Sequence, residues 1–264
     1  MTHSGPLPHS PLRVAVTGGT SGLGLALVGA FSARGDAVAF VARDAARVQR
    51  TAREVTGSHG IVGDVARKDD AHRIALQIGG ALGGLDVLIH NASSLGPVPL
   101  ALLADTECED FEAALATNVL GPFRLTKALL GLLAASARES RSDDLHAVVV
   151  NVTSDAAVTP YAGWGAYGAS KAALLHMSRI WHDELAPHGV AVVAVDPGDM
   201  DTPLHAAAVP DADRSTLKDP ADAAREIVDR IDVERAAGSR SRVGVPLPLV
   251  AIESAAPARA ARPS

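Results

Sequence analysis

The sequence predicts an α/β protein built on a doubly wound, mostly parallel sheet with helices on both faces. Three observations carry this reading. Short apolar runs of strand length alternate with stripes of helical period along most of the chain. A glycine-rich turn, Gly18-Gly19-Thr20-Ser21-Gly22-Leu23-Gly24, joins the first run to the first stripe. The chain has 264 residues, enough for one such domain with a sizeable core.

The elements follow in order. Residues 12–16 form a first apolar strand, the glycine-rich turn follows, and residues 25–34 are helical. A strand, a tight turn and a helix N-terminus let backbone N–H groups face a pyrophosphate, and a side chain in that turn would block the approach. The spacing is Gly-x-x-x-Gly-x-Gly. Residues 38–41 make a second strand, ending at Ala42-Arg43. An acid at this place would bind a ribose 2'-hydroxyl, whereas a guanidinium pairs with a 2'-phosphate. Arg43 therefore predicts NADP(H) in preference to NAD(H), and Arg47 lies one turn further on as a second cation. Ala45, Val48, Ala52 and Val55 mark the next helix. A third strand is expected over 61–65, with Asp64 either accepting from an adenine amino group or capping the helix after it. Ala71, Ile74, Ala75, Ile78 and Leu82 give that helix its core face. A fourth strand over 85–89 leads to His90-Asn91-Ala92-Ser93.

The second half opens with a long helix over 111–133 that contains Asn118 and Pro122. A proline inside a helix removes one N–H, which frees the carbonyl four residues back, at Asn118. Residues 135–145 are polar and read as a solvated loop. The run Ala147-Val148-Val149-Val150 reads as a buried strand, so Ser154 emerges at its C-terminal end, where open α/β sheets bind ligands. Tyr167 and Lys171 then share one face of a helix. A free phenol titrates near ~10, too high for work at neutral pH, and a nearby ammonium is expected to lower it. Residues 171–186 are apolar nearly all round, so that helix is buried on several faces. Residues 190–195 form the next strand. Asp196-Pro197-Gly198-Asp199-Met200-Asp201-Thr202 follows, with Asp199 and Asp201 expected to cap the next turn. Residues 205–218 have the mix of a mobile lid. Ala224, Ile227, Val228 and Ile231 restore a helical stripe, and 243–245 suit a last short strand.

Composition narrows the classes. Hydrophobic residues make up 47% and aromatic residues 3%, so the chain is globular and its core is expected from Ala, Val, Leu and Ile. A net charge of -6 gives no reason to expect nucleic acid or an acidic membrane as partner. The single Cys108 excludes an internal disulfide and a cysteine metal cluster, and no metal site is expected. No apolar run was expected to span a bilayer, and residues 1–11 lack the apolar core of a signal peptide. A cytoplasmic protein is the expectation, with loose tails over 1–11 and 251–264 around one domain over 12–250.

Thr17-Gly18 with its following glycines, Asp64-Val65, His90-Asn91-Ala92-Ser93, Asn118, Ser154, Tyr167-x-x-x-Lys171 and Pro197-Gly198 occur in one order. That set resembles the single-domain short-chain dehydrogenase/reductases, in their NADP(H)-preferring branch, from about residue 13 to at least 245. The family's Asn-Asn-Ala-Gly motif reads His90-Asn91-Ala92-Ser93 here, a departure at two positions, and His90 reads as a core side chain. The resemblance implies a Rossmann-type domain that transfers hydride from NADPH to the carbonyl of a small organic substrate, reversibly. It implies Tyr167 as proton donor, Ser154 as the group that orients the oxygen, and Lys171 on both the phenol and the nicotinamide ribose. The Asn118 backbone would hold a water linked to Lys171. Cofactor contacts are implied at Gly18, Thr20, Ser21, Gly22, Leu23 and Gly24, at Arg43, and at Asp64 and Val65. Further contacts are implied at Asn91, Ala92 and Ser93, at Tyr167 and Lys171, and at Pro197, Gly198, Met200 and Thr202. Ser154, Trp164, Tyr167 and Leu204 would meet the substrate, with Ser94, Leu95 and Asp155 nearby. A homodimer or homotetramer is implied. Two rivals remain: a non-catalytic NADP(H)-sensing regulator on the same fold, and an NAD-preferring alcohol dehydrogenase.

Overall fold

The structure is a computed structural model that describes residues 11–139 and 147–236. Six strands, β1 (Arg13–Thr17), β2 (Ala37–Ala42), β3 (Ser58–Val62), β4 (Val87–His90), β5 (Ala147–Val152) and β6 (Val190–Val195), form one sheet. Their order is β3-β2-β1-β4-β5-β6, and every pairing is parallel. The chain reverses direction of travel across the sheet between β1 and β4, and a crevice opens there at the C-terminal strand ends. The expected strand at 243–245 lies outside the described residues.

Strand alternation builds a core on each face. Val14, Val16, Phe40, Val148 and Val150 point into one layer, against Leu27 and Phe31 of α1 (Gly22–Ala33) and Ile227 and Ile231 of α8 (Pro220–Ala236). Ala15, Ala39, Val41 and Val149 point into the other. There they meet Ile74 and Ile78 of α3 (Lys68–Leu82) and Leu125, Leu129 and Leu133 of α5 (Gly121–Glu139). Each fully buried aliphatic side chain of this kind contributes about 1.5–3 kcal/mol. Phe31 and Phe40 head the largest fully buried side chains, so the core is not purely aliphatic as composition suggested.

Several boundaries differ from expectation. β3 lies at Ser58–Val62 and ends before Asp64, which falls in the following loop. The helix expected over 111–133 is two helices, α4 (Cys108–Leu115) and α5, joined by a π-turn at Ala116–Leu120. The Gly121 N–H reaches five residues back to the Ala116 carbonyl. The π-turn comes just before Pro122 and carries the buried Asn118. Residues 135–139, expected in a loop, continue α5. Ser136 is held there because its Oγ accepts from Leu85 N at 3.1 Å and from Arg13 Nη2 at 2.8 Å.

The combined run Cys108–Glu139 is long and apolar enough to cross a membrane by length and composition, contrary to expectation. Its Leu125, Leu129 and Leu133 are instead committed to the core beneath the sheet. The expected lid holds a short helix, α7 (Pro203–Ala208), and a 3-10 turn at Arg214–Thr216. α2 (Ala45–Glu54) and α6 (Gly165–Leu185) complete the helices among the described residues.

Candidate active site

A single cleft of about 1200 Å³ runs along the C-terminal strand ends, from Arg43 and Asp64 past Ser154 and Tyr167 to Leu204. It is lined by Gly18, Thr20, Ser21, Gly22, Leu23, Val65, Asn91, Ala92, Ser93, Lys171, Pro197, Gly198, Met200, Thr202 and Trp164 among others. Gly24 and Asn118 from the expected set stand behind this wall.

The first half of the cleft is made by backbone. A Cβ on Gly24 would lie 2.2 Å from Gly18 O and 2.4 Å from Asn91 Nδ2, so α1 can approach the loop only with glycine there. Gly22 has φ +49°, and a Cβ on it would press on the Thr202 methyl at 3.0 Å. Thr17, part of the sequence motif but given no role there, fixes the loop. Its Oγ1 accepts from Asn91 N at 3.0 Å and Ala92 N at 3.1 Å. The Asn91 side chain turns to the protein, donating to Thr17 O at 2.9 Å. The Ser21 hydroxyl makes no capping bond at the start of α1. The first-turn N–H groups therefore face the cleft without a protein cap. Glycines that a Cβ would overfill, an uncapped helix N-terminus and a cleft of this length fit a dinucleotide. The loop and α1 would hold its pyrophosphate, and Arg43 would stand near its adenosine ribose.

Arg43 is exposed on the cleft wall. Asp44 beside it caps α2, accepting from Arg47 N at 3.0 Å, and the Arg47 guanidinium lies 3.8 Å from the same carboxylate. Arg47 thus has a local partner. Asp64 shapes the turn into α3. Its Oδ1 accepts from Ala66 N at 3.0 Å, while Arg67 holds the N-cap position, so Asp64 does not cap that helix. Asp199 and Asp201 do not cap the next helix either. Asp201 pairs with Arg214 at 2.8 Å, Asp199 lies 3.8 Å from His205 Nε2, and Thr202 is the N-cap of α7 through His205 N at 3.2 Å. A hydroxyl one residue before Pro203 is better placed for that bond than either acid.

Side chains make the middle of the cleft. Tyr167 and Lys171 lie one turn apart on α6, 7% and 2% exposed. Lys171 Nζ sits 5.4 Å from the Tyr167 ring centroid and donates to Val152 O at 2.8 Å. Ser154 follows β5 and lines the same stretch of cleft as Tyr167. Burial pushes the Tyr167 phenol up to about 12, with the Ser154 and Ser93 hydroxyls holding it down and Asp196 and Asp155 pushing it further up. Burial pushes the Lys171 ammonium down to about 7, opposed by Asp196. The expected lowering of the phenol by Lys171 is therefore overturned for the protein groups alone. Desolvation of a phenolate outweighs a neighbour whose own charge is disfavoured by the same burial. The phenol is held protonated, the form that can give a proton away.

Asn118 reaches the site by its side chain. Its Nδ2 donates to Ser94 O and to Ser170 Oγ, each at 2.8 Å, and its Oδ1 accepts from Ser94 N at 2.8 Å and Ser93 Oγ at 3.2 Å. The sequence reading weighed only its backbone. His90 is buried as expected, with Nε2 2.9 Å from Thr126 Oγ1, and burial lowers its pKa to about 3. Towards the mouth, Trp164 stands edge-on to Tyr167 at 5.7 Å between centroids and 6.4 Å from Tyr161. Asp155 accepts from Ser154 Oγ at 2.9 Å and from the Tyr161 hydroxyl at 2.6 Å. Tyr161 was missed, although it lies between Ser154 and Tyr167 in the same run. Asp196 was missed as a charge. Burial, and then Asp155 and Asp199, raise its pKa, with Gly198 N opposing.

A long crevice beside a buried phenol and ammonium and a half-buried hydroxyl fits a nicotinamide-type oxidoreductase. The comparisons name the family. A family model described as short chain dehydrogenase matches residues 13–213. An uncharacterised short-chain type dehydrogenase/reductase of Sinorhizobium fredii is 33% identical over 192 residues, 72% of this chain but 33% of that protein's length. The 2-(R)-hydroxypropyl-CoM dehydrogenase of Xanthobacter autotrophicus is 32% identical over 198 residues, 73% of this chain and 76% of that one. A short chain dehydrogenase of Escherichia coli complexed with NADPH superposes with a TM-score of 0.75 at 26% identity, covering 85% of this chain and 93% of that one. A 3-ketoacyl-(acyl-carrier-protein) reductase of Brucella melitensis complexed with NADH gives a TM-score of 0.74 at 26% identity, covering 81% and 88%. This chain belongs to the short-chain dehydrogenase/reductase family of oxidoreductases.

Proposed function

We propose that the chain is an NADP(H)-dependent reductase that converts a small organic carbonyl to an alcohol, reversibly. The observation that carries this is the meeting of Ser154, Tyr167 and Lys171 midway along a cleft whose other end is the glycine loop. When bound, the nicotinamide supplies the hydride. The protein supplies the proton and the geometry. Tyr167 holds its proton at the point where a carbonyl oxygen gains charge, and Ser154 orients that oxygen. Lys171, at about 7, is poised between charge states near neutrality and can pass a proton inward as the phenol gives one up.

The choice of NADP(H) rests on Arg43, because one structural relative holds NADPH and another NADH. Asp44 next to it is tied to the start of α2, which leaves the exposed guanidinium to meet a 2'-phosphate. A non-catalytic sensor has no need of the proton-transfer set, and all of it is here. Exposed Phe123 and Leu120 on the α4–α5 run, with Ile180 on α6, support a homo-oligomer through those helices, Phe123 lying 6.1 Å from Trp181 between ring centroids. The activity is tested by following NADPH oxidation with a panel of ketones, aldehydes and quinones, in the wild type and in Tyr167→Phe. Turnover that survives in the variant would remove Tyr167 from the chemistry.

A further inference from the structure

Ser154 is already engaged where it stands. Its Oγ accepts from Ala156 N at 3.2 Å and donates to Asp155 Oδ1 at 2.9 Å. A hydroxyl has one proton to give, and this one is committed to the carboxylate. Orienting a carbonyl oxygen needs that same proton. Ser154 must then turn its O–H from Asp155 to the substrate, while the Ala156 N–H holds its oxygen in place. The turn breaks a charge-assisted bond and leaves Oδ1 short of a donor. The Tyr161 hydroxyl is no replacement, because it already donates to the other carboxylate oxygen, Oδ2, at 2.6 Å.

Asp155 is half-buried and lines the cleft beside Ser154 and Tyr161, so it is open to a ligand. The 2.9 Å between Ser154 Oγ and Asp155 Oδ1 is close to the separation of two polar atoms carried on neighbouring carbons. A ligand with its carbonyl oxygen on Ser154 and a donor on the next carbon matches the pair atom for atom. The bond that Ser154 gives up is then replaced by one from the ligand. A plain ketone offers no replacement. The rest of this wall is apolar and aromatic: Leu95, Ala156 and Tyr167 form a buried cluster against which Trp164, Ala207 and Ala208 pack.

We propose that Asp155 is a specificity-determining residue, and that the substrate carries a hydrogen-bond donor, hydroxyl or ammonium, on the carbon next to its carbonyl. The remaining arm of the substrate is apolar or aromatic. The donor bonds Asp155 Oδ1 as Ser154 turns to the carbonyl oxygen, so the two changes occur together. The inference rests on the reading of Ser154 as the group that orients the reacting oxygen, and adds a substrate class to it. Asp196 and Asp199 line the same end of the cleft, whereas Arg43 and Arg47 line the far end. An ammonium is therefore favoured over a hydroxyl, and both over a methyl group.

Three ketones test this: α-aminoacetophenone, α-hydroxyacetophenone and propiophenone, which differ only in an ammonium, a hydroxyl or a methyl group at one carbon. Their Kd values are measured by calorimetric titration of the NADP+ complex at mildly acidic pH, in the wild type, Asp155→Ala and Tyr161→Phe. NADP+ and a ketone have no hydride to exchange, so the titration needs no turnover. In the wild type a donor-bearing ketone should bind about tenfold or more tighter than propiophenone. The larger of the two leads names the donor as amino or hydroxyl. In Asp155→Ala the ratio should fall to about one. Tyr161→Phe keeps the carboxylate and should keep the ratio. Equal Kd values for the three ketones in the wild type overturn the proposal, as does a failure of all three to bind. A preference that survives in Asp155→Ala, or is lost in Tyr161→Phe, also overturns it, since another group would then read the donor. If Asp155→Ala shows no folded melting transition, Asp155→Asn, which keeps the outline and drops the charge, takes its place with the same two outcomes. Turnover persisting in Tyr167→Phe would strike the functional reading and leave these ratios standing, whereas equal Kd values would strike this inference alone.

Discussion

The two halves of the cleft are built from different materials. The half proposed for the cofactor is backbone: the loop after β1, the first turn of α1, and the loop after β4, locked together by Thr17 and Asn91. The half proposed for the substrate is side chain: Ser154, Asp155, Tyr161, Trp164 and Tyr167, joined by hydroxyl-to-carboxylate bonds and ring contacts. Backbone presents the same N–H groups whatever residues flank it, so the first half suits one ligand shared by a family. Side chains change with every substitution, so the second half can be respecified without disturbing the first. The departures from the family motif at His90 and Ser93 fall on the seam between the halves. One is buried at the end of β4 against Thr126, and the other bonds Asn118 on the cleft wall.

The largest effect should separate chemistry from binding. Tyr167→Phe should lower turnover by about 10²–10⁴-fold, the range for losing a positioned general acid, with NADPH affinity measured by fluorescence titration kept. A matching loss of affinity would mean that the two halves are not separable. Gly24→Ala attacks the other half. Its Cβ would sit 2.2 Å from Gly18 O, so the loop must move, with an expected loss of about 1–3 kcal/mol in stability and of NADPH binding. Thermal melts with and without NADPH check this, and an unchanged ligand-induced shift would break the comparison.

Arg43→Asp should reverse the preference between NADPH and NADH, by tenfold or more in kcat/KM on the scale of about 1.4 kcal/mol per decade. Equal use of both cofactors by the wild type would remove Arg43 from that role. The smallest effect concerns the floor. His90 has a folded pKa of about 3 against 6.5 in the open chain. Below about pH 6.5 the unfolded state takes up a proton that the folded state refuses, so stability falls as pH drops from 6.5 towards 3. His90→Gln should flatten the fall in melting temperature over that range. A parallel fall in both proteins would show that other groups set the acid limit.

Much of this was legible along the chain. Strand β6 fell where its apolar run did, and β1, β2, β4 and β5 within a few residues. Ala71, Ile74, Ala75 and Ile78 all face the core as their spacing implied. The glycine loop, Ser154, Tyr167 and Lys171 came together in one cleft. Pro122 signalled a disturbance beside Asn118, but whether it would be a kink or a π-turn depended on what packs around it. Other features left no local mark. Ser136 continues α5 because Arg13 and Leu85 need its hydroxyl, partners far away in sequence. Asp199 and Asp201 looked like caps, but Asp201 pairs with Arg214 and Thr202 takes the cap of α7.

The sequence by itself determined the order of strands and helices, the loop that only glycine can form, and the one-turn spacing of phenol and ammonium. These depend on periodicity and backbone sterics, which act between near neighbours. Only the tertiary structure decided that burial pushes the phenol up to about 12 and Lys171 down to about 7, that Asn118 holds Ser93, and that Asp155 holds Ser154 and Tyr161. Charge states and hydrogen-bond partners depend on burial and on through-space distance, and folding sets both by bringing remote residues together.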